Sequence, residues 1–477
     1  MYRQQRYSEC IKEVESKLKQ RPNSLHLLNY QAMAYSALKR DKEALSSYKK
    51  ILKQDSSLAG PHYNMGIILR RNGRVEDSIA HYKKAIALKP DYVQAYNNLG
   101  VIYKDSNKYE NAIEMFTKAK ELQPDHQNSY YNIALIKKEQ GLMEEAVSLL
   151  LKVLDLNPEH SEANYLSCLI VLQLCRLGEG WRGYEYRWKI SPQNKVIWPF
   201  QGKPVWKGER GKRVALWKEQ GIGDEIIFLS LVSEVQEMCA TLSVYMDPRL
   251  QSLCKRAMPE INFVKDMEEL QSVDCDYHLP LQSLGGLIRN DISDFDRTVK
   301  GYFKADPKRV EALWKELKLD GKTVIGISWK SFKTKYKSKS VRLQDMEKIF
   351  RGLDVVLVNL QYGDVADEIR EFKDATGIEV VQCSSVDNRD DLDGLAALIE
   401  VCDLVVSTSN VTVHLAGALA KETWVLLHYV SIYYWLSERT DSIWYPSLTL
   451  YRQPTLDDWD SVYVSIRKDL HRMLVEK

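Results

Sequence analysis

Apolar and polar positions follow two different rhythms along this 477-residue chain. Up to about residue 190 the apolar residues keep the spacing of amphipathic helices, as in "YVQAYNNLGVIYKDSNKYENAIEMFTKAKEL" over residues 92–122. From about residue 212 short apolar runs alternate with amphipathic segments instead. The first pattern predicts packed helices, and the second predicts strands that alternate with helices.

A period of 34 residues organises the helical part. Small residues, aromatic rings and prolines return at this period: Ala32, Gly66, Gly100 and Ala134; Ala44, Ser78, Ala112 and Ala146; Tyr48, Tyr82 and Phe116; and Pro90, Pro124 and Pro158. Small residues let the two helices of a hairpin approach, and hairpins stack because one alone cannot bury its apolar face. The pattern resembles the tetratricopeptide repeat (TPR), with roughly four full repeats over residues 22–157 and a divergent hairpin over 158–190.

Three asparagines form a column within these repeats. Asn64, Asn98 and Asn132 each lie two residues before the small residue of the first helix. An amide both donates and accepts hydrogen bonds, so a ladder of amides can hold an extended peptide backbone. We therefore expect this column to bind an acceptor peptide in the concave groove. The alternative is that asparagine suits the repeat and contacts only water.

The remainder of the chain predicts parallel sheets covered by helices on both faces. The predicted strands are RVALWKE, LSVYMD, INFVKD and DYHLPL, followed by TVIGISW, VVLVNLQ, IEVVQC, DLVVST and TWVLLH. They fall into two series, roughly over residues 200–300 and 320–430. Two such series predict two Rossmann-like halves that face one another, with ligands at the carboxyl ends of the strands.

The stretch "EQGIGDE" follows the first strand of the first series. Gly221 and Gly223 carry no side chain where the backbone would approach a ligand. Asp224 then stands at the start of the next helix, as either a helix N-cap or a base in a cleft. A short Gly-x-Gly lacks the full dinucleotide spacing, so we rank the base above the cap on position alone.

The stretch "GISWKSFKTKYKSKSVR" follows the first strand of the second series. Lys330 comes directly after that strand, where it can neutralise a phosphate. The other cations predict either a solvated loop or a nucleic-acid patch: Lys333, Lys335, Lys337, Lys339 and Arg342. The net charge of +2 argues against nucleic acid.

The stretch "STSNVTVHLAGALA" follows a later strand of the same series. Ser409 or Asn410 caps the helix that begins here, and its free N–H groups form an anion site suited to a diphosphate. Thr412 and His414 lie in the first turn, and we expect both beside that phosphate.

Taken together, "KEQGIGDEIIF", "GISWK", "DDLDGLAALI", "DLVVSTSNVTVHLAGALAKETWVLL" and "SERTDSIWYPSLTLYRQ" resemble bacterial TPR-linked glycosyltransferases. That family includes flagellin-modifying enzymes, and its catalytic half is related to heptosyltransferases and distantly to O-GlcNAc transferases. The resemblance covers residues 20–477. It implies that Asp224 is the catalytic base and that Lys330 and His414 contact the donor phosphates. One departure is Ser409-Asn410 where many relatives have Asp-Thr.

The resemblance implies a multidomain fold class: an all-α TPR superhelix followed by an α/β GT-B fold of two Rossmann-like domains. We place the repeats at residues 1–190, the acceptor-side domain at 191–318 and the nucleotide-sugar domain at 319–477. The implied reaction is an inverting transfer of sugar from a nucleotide sugar to Ser/Thr of a protein, flagellin or another surface protein, without a metal or other cofactor. Two alternatives are a catalytically silent TPR scaffold and a transferase that acts on a glycan.

Cysteines and hydropathy place the chain in a reducing compartment. The eight cysteines form no C-x-x-C pair, which indicates neither a zinc site nor a disulfide framework. No signal peptide and no apolar run of about 18 residues is recognisable, so we expect no membrane span and a cytoplasmic location.

Overall fold

The computed structural model describes residues 6–190, 198–297, 300–319, 321–331 and 339–476. It divides into two compact units, Met1–Ala163 and Asn164–Lys477. The division falls inside one helix, Ser161–Gln173.

The first unit is built from helical hairpins. Its helices are α1 (Tyr7–Gln20), α2 (Leu25–Ala37), α3 (Asp41–Gln54), α4 (Ala59–Arg71), α5 (Val75–Leu88), α6 (Val93–Asp105), α7 (Tyr109–Leu122), α8 (Gln127–Glu139) and α9 (Met143–Leu156), followed by α10 (Ser161–Gln173), which continues into the second unit. Helices α2 and α3, α4 and α5, α6 and α7, and α8 and α9 pack as pairs.

Small residues set the distance between the paired helices. A β-carbon on Gly66 would lie 2.8 Å from Cε1 of Tyr82, and one on Gly100 would lie 2.8 Å from Cε1 of Phe116. Both rings are buried. The small residues therefore let the two helices of a hairpin approach, as the sequence predicts, and each ring fills the space that the small residue leaves within its own hairpin.

The second unit combines a short helical part with two sheets. Its helices after α10 are α11 (Leu177–Tyr184), α12 (Arg187–Ile190), α13 (Ile222–Leu229), α14 (Val232–Gln236), α15 (Gln251–Ala257), α16 (Met267–Ser272), α17 (Leu284–Ile288), α18 (Pro307–Leu317), α19 (Leu343–Phe350), α20 (Ala366–Thr376), α21 (Leu392–Val401), α22 (Val411–Ala418) and α23 (Trp459–Glu476). Its strands are β1 (Arg213–Trp217), β2 (Thr241–Tyr245), β3 (Asn262–Val264), β4 (Tyr277–Pro280), β5 (Thr323–Ser328), β6 (Val355–Asn359), β7 (Val380–Val381), β8 (Leu404–Thr408), β9 (Thr423–Leu427) and β10 (Leu448–Arg452).

Both sheets are parallel and doubly wound. The first has the order β3-β2-β1-β4, and the second has the order β10-β9-β8-β5-β6-β7. The strand order reverses between β1 and β4 and again between β5 and β8. In sheets of this kind ligands bind outside the carboxyl ends of the strands at such a reversal. The predicted class, helical hairpins followed by an α/β region, is confirmed.

The two sheets define two lobes that share a packed seam. The first lobe is β1–β4 with α13–α17, and the second lobe is β5–β10 with α18–α23. Trp444 packs edge-on against Phe228 and Phe295, with ring centroids 5.4 and 4.8 Å away. The hydroxyl of Tyr302 donates to the carbonyl of Ile226 at 2.5 Å. The lobes are therefore joined by buried aromatic contacts.

The sequence pattern places the end of the repeats at residue 190. In the structure, residues 164–190, which include most of α10 and all of α11, belong to the same compact unit as the sheets. Trp181 explains the difference, because its ring covers Gly285 so closely that a β-carbon there would lie 2.5 Å from it. The indole N–H donates to the carbonyl of Arg289 at 2.8 Å. Trp181 is thus part of a hydrophobic core that also includes buried residues of the first lobe.

No helix in the described parts of the chain combines the length and the apolar character needed to cross a membrane.

Candidate functional site

The start of α13 follows the reversal point of the first sheet. Gly221 is its N-cap residue and Ile222 its first helical residue, so Asp224 stands in the first turn and not at the cap. Asp224 is half-buried. Burial raises the pKa of Tyr433 and of Tyr445 well above the usual range, and the nearby charge of Asp224 adds to both shifts. The carboxylate of Asp224 therefore interacts electrostatically with two phenols of the second lobe.

The neighbouring carboxylate, Glu225, belongs to the interior of the first lobe. It is 1% exposed and accepts the backbone N–H of Asp247 at 2.6 Å. Burial raises the pKa of Glu225 to about 7, although Lys218 acts in the opposite direction. Asp224 and Glu225 thus have different environments although they are adjacent in sequence.

Two side-chain amides, those of Asn410 and Gln361, form hydrogen bonds at the carboxyl ends of β5 and β8, where the strand order of the second sheet reverses. Asn410 donates from Nδ2 to Oγ of Ser328 at 2.7 Å, which joins the ends of β8 and β5. The hydroxyl of Ser328 donates to Oε1 of Gln361 at 3.0 Å. The same oxygen accepts the backbone N–H groups of Trp329 and Lys330, both at 2.9 Å. The chain at this edge is fixed by its own polar side chains.

The N-terminus of α22 is capped by Asn410 and not by Ser409. Asn410 accepts the N–H of Thr412 at 3.0 Å. Ser409 accepts the indole N–H of Trp435 at 2.8 Å. The hydroxyl of Thr412, which is fully buried, donates to the carbonyl of Leu360 at 3.3 Å. Ser409, Asn410 and Thr412 were predicted to bind the nucleotide sugar, and each of them forms a hydrogen bond within the protein.

His414 is an uncharged ring in a buried aromatic setting. It is 3% exposed, stacks on Trp435 with the ring centroids 5.4 Å apart, and has Nδ1 3.3 Å from the hydroxyl of Tyr445. Burial lowers the pKa of His414 to about 3, with a further contribution from Lys339. At neutral pH this imidazole can offer a phosphate one N–H, but no positive charge.

Two predicted site residues from different lobes are in direct contact. A β-carbon on Gly223 would lie 2.8 Å from Cδ2 and 3.4 Å from Nε2 of His414. Helix α13 correspondingly packs against α22. The contact brings α13, which carries Asp224, to α22, which begins at the predicted anion site. Gly223 and Asn410 are 187 residues apart in sequence.

The cations after β5 have different surroundings. The ammonium of Lys330 pairs with Glu368 of α20, whose other oxygen accepts the indole N–H of Trp329 at 2.9 Å. Arg342 pairs with Asp345 at 2.7 Å on an exposed surface. Lys333, Lys335 and Lys337 lie outside the described residues. Lys330, and Lys339 through its effect on His414, are thus the cations that the structure places near the candidate site.

A polar cavity of about 400 Å³ opens beside the same edge of the second sheet. Asn359 and Gln361 at the end of β6 line one side, and Asn388 and Arg389 line the other. Asn388 donates to the carbonyl of Asn359 at 3.0 Å. Gln361 therefore lines this cavity and also accepts the backbone N–H of Lys330.

Two of the three asparagines in the column of the first unit form hydrogen bonds with other side chains. Asn98 donates to the hydroxyl of Tyr63 at 3.2 Å. Asn132 accepts the ammonium of Lys104 at 2.9 Å. Asn64 is half-buried. A peptide that used this column would exchange these contacts for its own backbone groups.

The described cysteines are all free thiols. Among the described residues no group of three or more His, Cys, Asp and Glu is placed to hold a metal ion.

Three residues at the candidate site are not among the residues that the sequence predicts for it: Gln361, Glu368 and Lys339. Gln361 ends a predicted strand at the ligand-binding edge, so the rule that selected Lys330 applies to it equally. Glu368 lies on a helix and pairs with Lys330 only through the fold, and Lys339 was grouped with the solvated loop.

Comparison with protein families identifies the repeats. Models described as TPR repeat or tetratricopeptide repeat match residues 66–106, 93–126 and 127–160. These ranges cover α5–α9 and the end of α4, and they stop directly before α10. The predicted tetratricopeptide character of the first unit is therefore confirmed.

Individual relatives match parts of the chain. Protein FlbA of Caulobacter vibrioides is 31% identical over 315 residues, which cover 61% of this chain and 52% of that protein, so the chain spans about half the length of this relative. The crystal structure of MamA is 26% identical over 33% of this chain and 91% of its own, with a TM-score of 0.31. The crystal structure of YrrB, a TPR protein with an unusual peptide-binding site, is 18% identical over 38% of this chain and 93% of its own, with a TM-score of 0.32. The chain is thus similar to a bacterial protein and carries tetratricopeptide repeats ahead of an α/β region.

Proposed function

We propose that the chain is a glycosyltransferase that moves a sugar from a nucleotide sugar to Ser/Thr hydroxyls of a protein held by the repeats. The contact between Gly223 and His414 carries the proposal, because it brings together the starts of two helices that follow reversal points in two parallel sheets. Two half-sites at one seam suit a reaction between two substrates. The sequence resemblance to TPR-linked glycosyltransferases of the GT-B type supports the same reaction.

Asp224 is the proposed general base. Glycosyl transfer requires that the acceptor hydroxyl lose its proton as it attacks, and a carboxylate within hydrogen-bonding distance can accept that proton. Asp224 suits this role because it is half-buried and interacts electrostatically with phenols of the second lobe. Glu225 does not suit it, because its carboxylate is buried and accepts the N–H of Asp247.

The start of α22 and Lys330 are the proposed partners of the leaving diphosphate. Free N–H groups at a helix start stabilise negative charge. Lys330 adds a positive charge once a phosphate displaces Glu368 from it. His414 would contribute an N–H and no charge, since burial lowers its pKa to about 3. These donors act on the leaving group by electrostatic stabilisation.

The cavity beside β6 is the proposed nucleoside site. Its volume of about 400 Å³ and its polar lining suit a base and ribose. It adjoins Gln361, whose side chain holds the backbone of Lys330. A nucleoside here would therefore direct its phosphates toward Lys330 and α22.

The repeats are the proposed acceptor-binding part. Stacked tetratricopeptide hairpins form extended surfaces that bind protein segments. Asn98 and Asn132 carry amides that can pair with a peptide backbone once they leave Tyr63 and Lys104. By the same resemblance, flagellin or another surface protein is the proposed acceptor.

Turnover of a nucleotide-sugar panel tests the reaction. The purified full chain is given UDP-, GDP-, CMP- and ADP-linked sugars with a Ser/Thr-containing protein, and both released nucleotide and transferred sugar are measured. We expect Asp224→Asn to lower the transfer rate by about 10²–10⁴-fold. The matched control is Asp367→Asn, which changes a first-turn carboxylate of α20 that is 82% exposed. Equal rates for wild type and Asp224→Asn would exclude this base.

A second candidate function is a catalytically silent scaffold that uses only the repeats. The contacts that favour it are the ion pair of Lys330 with Glu368 and the buried, neutral state of His414. Under this alternative the chain binds its protein partner but neither hydrolyses nor transfers any sugar of the panel. A third candidate, transfer to a glycan, predicts turnover that Asn98→Ala and Asn132→Ala leave unchanged.

A further inference from the structure

One phenol connects the helical hairpin with both lobes. Tyr184, the last residue of α11, is 1% exposed. Gln220 donates from Nε2 to its hydroxyl at 3.1 Å. That hydroxyl also lies 3.5 Å from the hydroxyl of Tyr433. Gln220 directly precedes Gly221, the N-cap residue of α13, so Tyr184 contacts the segment from which α13 starts.

A buried ion pair holds the preceding residue of that segment. Arg187 donates from Nε to both oxygens of Glu219 at 3.0 and 3.1 Å and from Nη2 at 2.7 Å. The two side chains are only 6% and 3% exposed. The guanidinium lies 4.4 Å from the ring centroid of Tyr184, and Nη2 also donates to Ser283 at 2.7 Å.

Such a pair is sensitive to loss of either partner. Removing one charge from a buried and hydrogen-bonded pair leaves the other uncompensated, which is strongly destabilising. Glu219 and Gln220 are the middle two of the residues, 218–221, that connect β1 to α13. Both of their side chains are therefore anchored to the hairpin, one by Arg187 and the other by Tyr184.

We propose that Tyr184 and Arg187 are positioning residues that fix the start of α13 and thereby the place of Asp224. This inference rests on the proposed role of Asp224 as the base. Tyr184 and Arg187 act through Gln220 and Glu219. A displacement of about 1 Å at a reacting group can lower a rate by about 10²-fold, so two anchors on adjacent residues have a direct effect on turnover.

The first test compares two Tyr→Phe variants. Tyr184→Phe removes only the hydroxyl and keeps the ring that packs against Trp181 at 5.2 Å. We expect kcat for sugar transfer to fall about 3–10-fold, as for loss of one hydrogen bond, with KM for the nucleotide sugar unchanged. The matched control is Tyr451→Phe on β10, which loses a hydrogen bond of 2.9 Å to Asp469. It should leave kcat unchanged.

Arg187→Lys supplies a second variant. The substitution keeps the positive charge but removes the planar guanidinium, which forms three hydrogen bonds of 3.1 Å or less with Glu219. We expect kcat to fall at least as much as in Tyr184→Phe. Wild-type kcat in both variants, measured where Asp224→Asn is inactive, would overturn the positioning role while leaving the proposed reaction intact.

Amide hydrogen exchange separates the positioning role from the reaction itself. We expect faster exchange in the peptide covering residues 218–228 in Tyr184→Phe and in Arg187→Lys, and no change in Tyr451→Phe. If the wild-type chain turns over no sugar of the panel, the proposed reaction fails and this readout alone decides the anchoring. Unchanged exchange in both hairpin variants would overturn the inference.

Discussion

Gly223 and His414 touch across the seam between the lobes, where a β-carbon on the glycine would lie 2.8 Å from Cδ2 of the imidazole. The ring has little room to withdraw, because Trp435 stacks on it and Tyr445 lies 3.3 Å from its Nδ1. The pair therefore determines how closely α13 approaches α22.

Gly223→Ala should destabilise the second unit. The added methyl group must displace His414 or the backbone of α13, and overpacking of this kind costs about 1–3 kcal/mol. Chemical or thermal denaturation measures the change in the free energy of unfolding. The control adds Gly223→Ala to a His414→Ala variant, which lacks the ring that the new methyl group would meet. The cost should be smaller in that background, and an equal cost in both backgrounds would contradict the close contact.

His414 should make the chain less stable in acid. Burial lowers its pKa to about 3, against an ordinary value of 6.5. Above pH 6.5 the imidazole is neutral in both the folded and the unfolded chain. Below it the unfolded chain takes up a proton that the folded chain does not, so stability falls by about 1.4 kcal/mol per pH unit down to about pH 3. The stability difference between wild type and His414→Gln should follow this slope between pH 6 and 4, and a difference that is constant with pH would refute it.

Glu225 should act in the opposite direction at higher pH. Burial raises its pKa to about 7 from 4.5. Its contribution to stability is therefore complete below pH 4.5 and is lost as the pH rises through 7. Glu225→Gln keeps an oxygen for the N–H of Asp247 and cannot ionise. Relative to wild type, the variant should gain roughly 3 kcal/mol between pH 4.5 and 8. Equal pH profiles of the two proteins would show that Glu225 is not shifted.

Lys330 and Glu368 should have opposite effects on nucleotide binding. Glu368 competes with a phosphate for the ammonium of Lys330. Glu368→Gln removes the competing charge and keeps an oxygen for Trp329, so affinity for a nucleoside diphosphate should rise. Lys330→Met should lower it by roughly tenfold, in line with the loss of a charge-assisted hydrogen bond. Isothermal titration with UDP, GDP and ADP measures both, and Arg342→Met, whose partner is Asp345, is the control. Tighter binding by Lys330→Met would rule out a phosphate contact.

Much of the fold could be predicted from local sequence. The helical hairpins follow from a period that pairs Gly100 with Phe116, and most strands follow from short apolar runs. The amphipathic stretch over residues 224–238 forms two helices, α13 and α14, and the hydroxyl of Ser230 donates to the carbonyl of Ile227 between them. Strand β10 is absent from the predicted strands because these rest on continuous apolar runs, whereas its buried Leu448 and Leu450 alternate with an exposed threonine at the edge of the sheet.

The candidate site was predictable only as a set of strand ends. The rule that ligands bind at the carboxyl edge led to Asp224, Lys330 and Asn410 from sequence alone. Their partners depend on the approach of distant segments: Glu368 reaches Lys330 only because α20 follows β6 in the same sheet. Whether His414 is charged depends likewise on the aromatic rings around it, which no local pattern discloses.

The ring of Trp181 has a practical consequence for anyone who dissects the chain. A fragment that begins at residue 191, where the repeat pattern ends, would lack Trp181 and Arg187. The surface around Gly285 would then be exposed to solvent, and the buried carboxylate of Glu219 would lose its ion-pair partner. Such a fragment should be insoluble or inactive for reasons unrelated to recognition of a protein partner. Cleavage ahead of Ser161, where α10 starts, keeps the hairpin and is the appropriate place to divide the molecule.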